Sequence, residues 1–216
     1  MSRPQIQMDF SISKTLKWLI GVNLGVWLIF QIIMEGYLNI PFSTFFALIP
    51  GKVLFDFNIW QIFTYMVLHT SQPMHVLMNM FMLWALGREL EERWGSRRFL
   101  IFYILSGAGA GLIYTLGVFI YFLIKPGTLS LVIPVMGASG AVFGILLAYG
   151  ILFGERVIYF FGIIPMKAKV MVMIMGFIEL SSLLTSNVNG GDVAYLAHLG
   201  GLASGYIVLK SWNKIQ

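Results

Sequence analysis

The chain has 216 residues, 58% of them hydrophobic and 11% charged, with a mean hydropathy of +0.84. Soluble domains are about half apolar and a quarter charged, so a soluble fold is excluded and an integral membrane protein of one domain is expected. The net charge is +5 and there is no cysteine, which excludes disulfides, thiolate metal sites and a cysteine nucleophile; the basic residues sit between apolar runs, where they read as topology signals rather than a nucleic-acid surface.

In chain order, residues 1–15 read as a cytosolic tail and "LKWLIGVNLGVWLIFQIIM", 16–34, as the first span. That run is longer than a signal-peptide core and no A-x-A site follows it, so it is expected to be a retained anchor. Residues 35–73 form a large outer loop containing "IWQIFTYMVL", 59–68, which is too short to cross and reads as interfacial or re-entrant. Further spans are expected over 74–90, 99–124 (somewhat tilted), 139–153, 170–184 and 193–209. The apolar piece "VIYFFGIIP", 157–165, is again too short to span. The fold class is therefore all-α: a single membrane domain, 1–216, with six transmembrane helices.

Basic residues orient it. With the N-terminus in the cytosol, inside segments hold Arg3, Lys14, Lys17, Arg88, Arg93, Arg97, Arg98, Arg156, Lys167, Lys169, Lys210 and Lys214, against Lys52 and Lys125 outside. This positive-inside bias puts both termini in the cytosol.

The fourth helix, 139–153, covers about 22 Å at 1.5 Å per residue, short of a ~30 Å hydrocarbon core. Glu155 and Arg156 fix its inner end, so Ser139 lies below the outer surface. "KPGTLSLVIPVMGA", 125–138, must then descend without regular helix, which is tolerated only where protein buries it or it lines a wet cavity. His75 opens the second helix and His198 lies about 8 Å down the sixth, so both approach the same depth from outside. Gly137, Ala138 and Gly140 clear the space around Ser139. Gly140 with Gly144, and Gly201 with Gly205, give two small-residue faces on which helices can pack tightly enough for an imidazole to reach the hydroxyl. An imidazole base activates a serine hydroxyl, and the free N–H of a helix start, with His75 and Asn79 on one helix face, can donate to an oxyanion.

Other readings stand beside this one. Ser139 among glycines also suits helix packing, and His75 with Asn79 suits an interhelical hydrogen-bond pair. "GAGAG", 107–111, reads as packing and "RELEERWGSRR", 88–98, as an ion-paired cytosolic turn. Glu179 suits either a proton relay or a carboxyl satisfied by Ser181 or Ser182. No metal is expected, since neither H-x-x-x-H nor H-E-x-x-H spacing occurs, and no cofactor is expected. A small transporter lacks the matched broken helices of two repeats.

"HVLMN" (75–79), "GRELEERWG" (87–95), "GASG" (137–140) and "AHLGGLASG" (197–205) occur in that order, and with them the chain resembles the rhomboid intramembrane serine proteases. "WQIFTYMVLH" (60–69) is similar to the run that closes that family's first loop. The resemblance implies Ser139 as nucleophile and His198 as base, a dyad with no carboxylate member. It implies His75, Asn79 and the Ser139 N–H as oxyanion donors beside Gly137, and Phe143 as a ring stacked on His198. His69 would support the first loop or a water site, and Glu91 and Arg93 would tie cytosolic ends together. It implies a bundle with a V-shaped opening to lipid, entered past the fifth helix. The substrates would be single-span membrane proteins cut near the outer end of their span, in a prokaryotic plasma membrane with the site facing outward. A non-catalytic rhomboid-like protein that escorts membrane clients is the alternative.

Overall fold

The computed structural model describes residues 12–126, 129–160, 163–185 and 194–213. Arg3 and Lys214 of the topology argument, Gly127 and Thr128 of the descending segment, and Val193, the expected start of the sixth helix, lie outside them.

The protein is mostly helical. Six long helices occur among the described residues: α1 (Lys14–Val26), which continues in π-helical turns over Trp27–Tyr37, α5 (Pro73–Trp94), α6 (Ser96–Ile124), α7 (Ser139–Leu152), α8 (Ala168–Thr185) and α9 (Ala194–Asn213). Among the described residues three stretches are both long and apolar enough to cross a membrane: Lys14–Tyr37, Ser96–Ile124 and Ala168–Thr185; α7 is apolar but shorter. Local chemistry sets several ends. The Ser13 hydroxyl accepts the Leu16 N–H at 3.1 Å and caps α1. Pro73 sits at the first turn of α5, where its missing N–H costs nothing. Gly95, at φ 77°, ends α5 and lets α6 start at the next residue.

Between the first helix and α5 the chain forms α2 (Ser43–Phe46), α3 (Pro50–Phe55) and α4 (Gln61–Thr64), with a tight turn over Tyr65–Val67. The stretch expected as interfacial or re-entrant, 59–68, is thus short helical turns, with Gln61, Tyr65 and Met66 buried. The Gln61 amide explains its fixed shape: it accepts the Ile49 N–H at 3.0 Å and donates to the Phe45 carbonyl at 3.1 Å. The other short apolar piece differs in kind from the helices around it. Phe161 and Gly162 lie outside the described residues, and those on either side form an antiparallel strand pair, β1 (Val157–Phe160) and β2 (Ile164–Lys167), with Val157 opposite Lys167. Both sides of its base are pinned by charge: Lys167 and Lys169 reach Glu155 and hold its carboxyl down to about 2.

α7 is the centre of the bundle. Its buried residues run from Gly140 to Leu146 and from Ala148 to Gly150, the signature of a helix apolar on all sides and wrapped by protein. α6 and α9 flank it. α9 meets it glycine to glycine: a Cβ on Gly201 would sit 2.1 Å from the Gly140 carbonyl oxygen, and one on Gly205 2.8 Å from the Gly144 Cα. Packing of that closeness is open only to residues without a side chain.

With 14 residues, α7 is about 21 Å long. The irregular backbone before it is satisfied by the first loop. Leu48 and Val135 exchange both N–H···O bonds at 2.9 Å, and the Gly137 N–H donates to the Tyr65 carbonyl at 3.0 Å. The non-helical chain before α7 is thus held by protein on its polar side.

At the opposite end of α7 the charged side chains gather. Arg156 pairs with Glu89, whose carboxylate also accepts the Tyr149 hydroxyl at 3.2 Å. Buried Glu91 accepts the hydroxyls of Ser13 and Ser96, joining the starts of α1 and α6 to the end of α5. Arg93 lies over the Phe153 ring, 5.7 Å from its centroid.

Candidate active site

Ser139 is the first residue of α7 and His198 lies one turn into α9. The close α7–α9 approach brings them together, with His198 Nε2 2.9 Å from Ser139 Oγ. Phe143, one turn along α7, lies flat on the imidazole, with ring centroids 4.3 Å apart and 9° between planes. The ring therefore has little freedom to tilt away from the hydroxyl.

The other imidazole nitrogen has a partner that the sequence reading did not foresee. His198 Nδ1 lies 2.9 Å from Oε2 of Glu179, which is buried on α8. The Glu179 carboxylate thus bonds His198, not the neighbouring Ser181 or Ser182, and the expected pair without a carboxylate has one beside it. Helix spacing could not reveal this, since Glu179 and His198 lie on separate helices whose rotation is set by packing. The signal available was the cost of a lone carboxylate in an apolar span.

His75, in the first turn of α5, is held the other way round. Its Nδ1 faces both the Thr70 N–H at 3.3 Å and the Thr70 hydroxyl at 3.0 Å. A backbone N–H can only donate, so Nδ1 is the acceptor and the neutral ring carries its proton on Nε2. That nitrogen and the serine hydroxyl both lie against Gly137: a Cβ there would sit 3.0 Å from His75 Nε2 and 3.5 Å from Ser139 Oγ. Gly137 adopts φ 139°, which side-chain-bearing residues rarely adopt, so glycine is required there for conformation as well as space. Thr70, also unforeseen, is itself fixed by the Trp27 indole N–H donating to its carbonyl at 2.9 Å. Asn79 spends one amide hydrogen on the His75 carbonyl at 2.8 Å, leaving the other for the cavity.

His69 is fully buried in the loop before α5, edge-on to His75 at 5.2 Å between centroids. The Ala138 N–H points to its Nε2 at 3.5 Å. It touches the backbone leading into Ser139, not the hydroxyl. Burial, reinforced by the neighbouring His75, pushes its pKa down to about 4. Glu91 and Arg93 lie at the far end of the bundle, away from this cluster.

A cavity of about 580 Å³ opens on Ser139 and His198, walled by His75, Met78 and Asn79 of α5 on one side and Met175 of α8 on the other. Met74 and Phe81 at its rim are exposed, so an apolar approach from the side leads to a polar floor. Among the described residues no group of histidine, aspartate and glutamate has the geometry to hold a metal ion.

Residues 56–211 match the Rhomboid domain family. Similar proteins include Rhomboid protein 1, mitochondrial, of Saccharomyces cerevisiae, 32% identical over 138 residues, 64% of this chain and 37% of that protein. RHOMBOID-like protein 1 of Arabidopsis thaliana is 28% identical over 165 residues, 75% of this chain and 36% of that protein. Rhomboid protease GluP of Bacillus subtilis is 31% identical over 150 residues, 68% of this chain and 25% of that protein. The chain thus spans between a quarter and two fifths of the length of these relatives. With most of its length matched to that domain, and with apolar helices long enough to cross a bilayer, the chain belongs to the Rhomboid family and is a multi-pass integral membrane protein.

Proposed function

We propose that the protein is an intramembrane serine endopeptidase cleaving single-span membrane proteins near the outer end of their span. The bundle would cross the membrane six times with both termini cytosolic, in a prokaryotic plasma membrane, with the site facing the exterior. The observation that carries this reading is the 2.9 Å contact between Ser139 Oγ and His198 Nε2 beneath a side-opening cavity.

In this mechanism a substrate segment enters between α5 and α8 and presents an unwound peptide bond. Ser139 Oγ attacks the carbonyl carbon while its proton passes to His198 Nε2. The oxyanion is held by the Ser139 N–H, the His75 Nε2–H and the free Asn79 amide hydrogen. His198 then gives the proton to the leaving amine, and the acyl-enzyme is hydrolysed by a water that His198 deprotonates in turn. The opposite tautomers of the two histidines suit the scheme: His198 offers a lone pair to the hydroxyl, whereas His75 offers a hydrogen.

The test is cleavage of a single-span substrate by purified protein in proteoliposomes. Ser139→Ala and His198→Ala abolish turnover on this reading while the helical content is unchanged. Wild-type turnover by Ser139→Ala would rule it out.

A further inference from the structure

We infer that Glu179 is a positioning residue for the proposed hydrolysis, its carboxylate fixing the tautomer of His198 and stabilising the imidazolium that forms when Ser139 is deprotonated. The inference rests on the serine-hydrolase reading and adds a third member to it.

Three observations converge. The Oε2···Nδ1 and Nε2···Oγ distances are both 2.9 Å, so carboxylate, imidazole and hydroxyl form one continuous chain across α8, α9 and α7. Glu179 is buried, at 6% exposure, on a mostly apolar helix that is otherwise largely exposed and long and apolar enough to cross a membrane. A carboxylate there is costly unless a strong donor meets it, and the imidazole N–H is such a donor. Finally, a carboxylate can only accept, so the imidazole hydrogen belongs on Nδ1 and the Nε2 lone pair is left for the serine.

The proton balance is simple. The Oγ hydrogen moves to Nε2 as Oγ bonds the carbonyl carbon, giving an imidazolium between Glu179 and a tetrahedral adduct, which becomes the ester when the C–N bond breaks and Nε2 protonates the amine. The Nδ1 hydrogen stays where it is, the carboxylate remains ionised, and the same proton leaves with the amine. Among the described residues the groups facing His198 are Glu179 from α8, His75 across the cavity from α5, and Ser139 with Phe143 from α7; α6 packs on α9 before and after it, Gly117 against Leu196 and Gly109 against Ser204. Glu179 is the partner whose charge opposes that of an imidazolium.

The decisive experiment is the kinetics of cleavage, kcat and KM separately, by wild type, Glu179→Gln, Glu179→Asp and Ser139→Ala, using the full chain in proteoliposomes. Glu179→Gln lowers kcat by about 10²–10⁴-fold with KM little changed, as removal of the carboxylate does in hydrolytic triads. Glu179→Asp keeps the charge and recovers part of the rate. Wild-type kcat in Glu179→Gln, with Ser139→Ala inactive in the same assay, would overturn this inference and leave the serine-hydrolase reading standing. Full activity of Ser139→Ala would instead remove the reading beneath it. Proton NMR of wild-type protein with labelled histidine needs no variant: a strongly downfield Nδ1 hydrogen on His198 supports the bond to Glu179, and a His198 protonated on Nε2 alone overturns it.

Discussion

The Gly201 Cα lies so near Gly140 that a methyl group on it would meet the Gly140 carbonyl oxygen at 2.1 Å. This crossing sets the separation of α7 and α9, and the contact between Ser139 and His198 depends on it. Gly201→Ala therefore forces the backbones apart, costing about 1–3 kcal/mol of stability by overpacking and taking His198 out of reach. Gly21, with nothing within 4 Å of a Cβ, is the control: Gly21→Ala leaves cleavage unchanged and stabilises α1 by up to about 1 kcal/mol. Thermal unfolding and cleavage rates of the two variants check both statements. Equal behaviour would contradict the packing account.

The glycine pairs also show what could be read from the sequence. Their spacing of four on each of two helices marks one face per helix, and small faces of this kind seek each other in a membrane. The places of Ser139 at the start of one helix and of His198 one turn into another followed from the bounds of the apolar runs. The Glu179 bond did not follow, because sequence gives position along a helix and not the rotation of one helix against another. Nor did the strand pair at 157–165: its apolar run has no alternation, and the ion pairs of Glu155 with Lys167 and Lys169 that close its base come from residues outside that run or at its edge. Thr70 was hidden for a different reason: the N–H that makes His75 Nδ1 an acceptor belongs to the backbone, and only the hydroxyl beside it belongs to the side chain.

His75→Ala removes one oxyanion donor without touching the contact between Ser139 and His198. The expected result is a fall in kcat of about 10²-fold with little change in KM, the loss usual for one such donor. Asn79→Ala should act in the same direction, and because both serve one oxyanion the double variant should fall short of the product of the two losses. An unchanged kcat for His75→Ala would remove it from the reaction.

Gly137→Ala meets two obstacles, the φ of 139° and a Cβ 3.0 Å from His75 Nε2. Strain of this kind costs about 1–3 kcal/mol, and relief by moving His75 would disturb the oxyanion donors. Reduced thermal stability together with reduced kcat is expected. Loss of neither would show that the backbone before Ser139 can shift freely.

His69 makes stability depend on pH. In the unfolded chain it titrates near 6.5 and in the folded protein at about 4, because burial opposes its charge. Between those values the unfolded chain holds more protons, so stability is whole above 6.5 and declines as pH falls towards about 4, by roughly 3 kcal/mol in all. In His69→Gln this part of the decline is absent. The Tm measured across that window for both proteins decides it, and parallel slopes would contradict the assignment.

The central claim is that Ser139 is a nucleophile activated by His198, and covalent labelling tests it most directly. A fluorophosphonate reacts only with a serine whose proton is being removed. Peptide mapping of labelled protein should place one adduct on Ser139, with none in His198→Ala. An unmodified Ser139, or an adduct formed equally well without His198, would contradict the account.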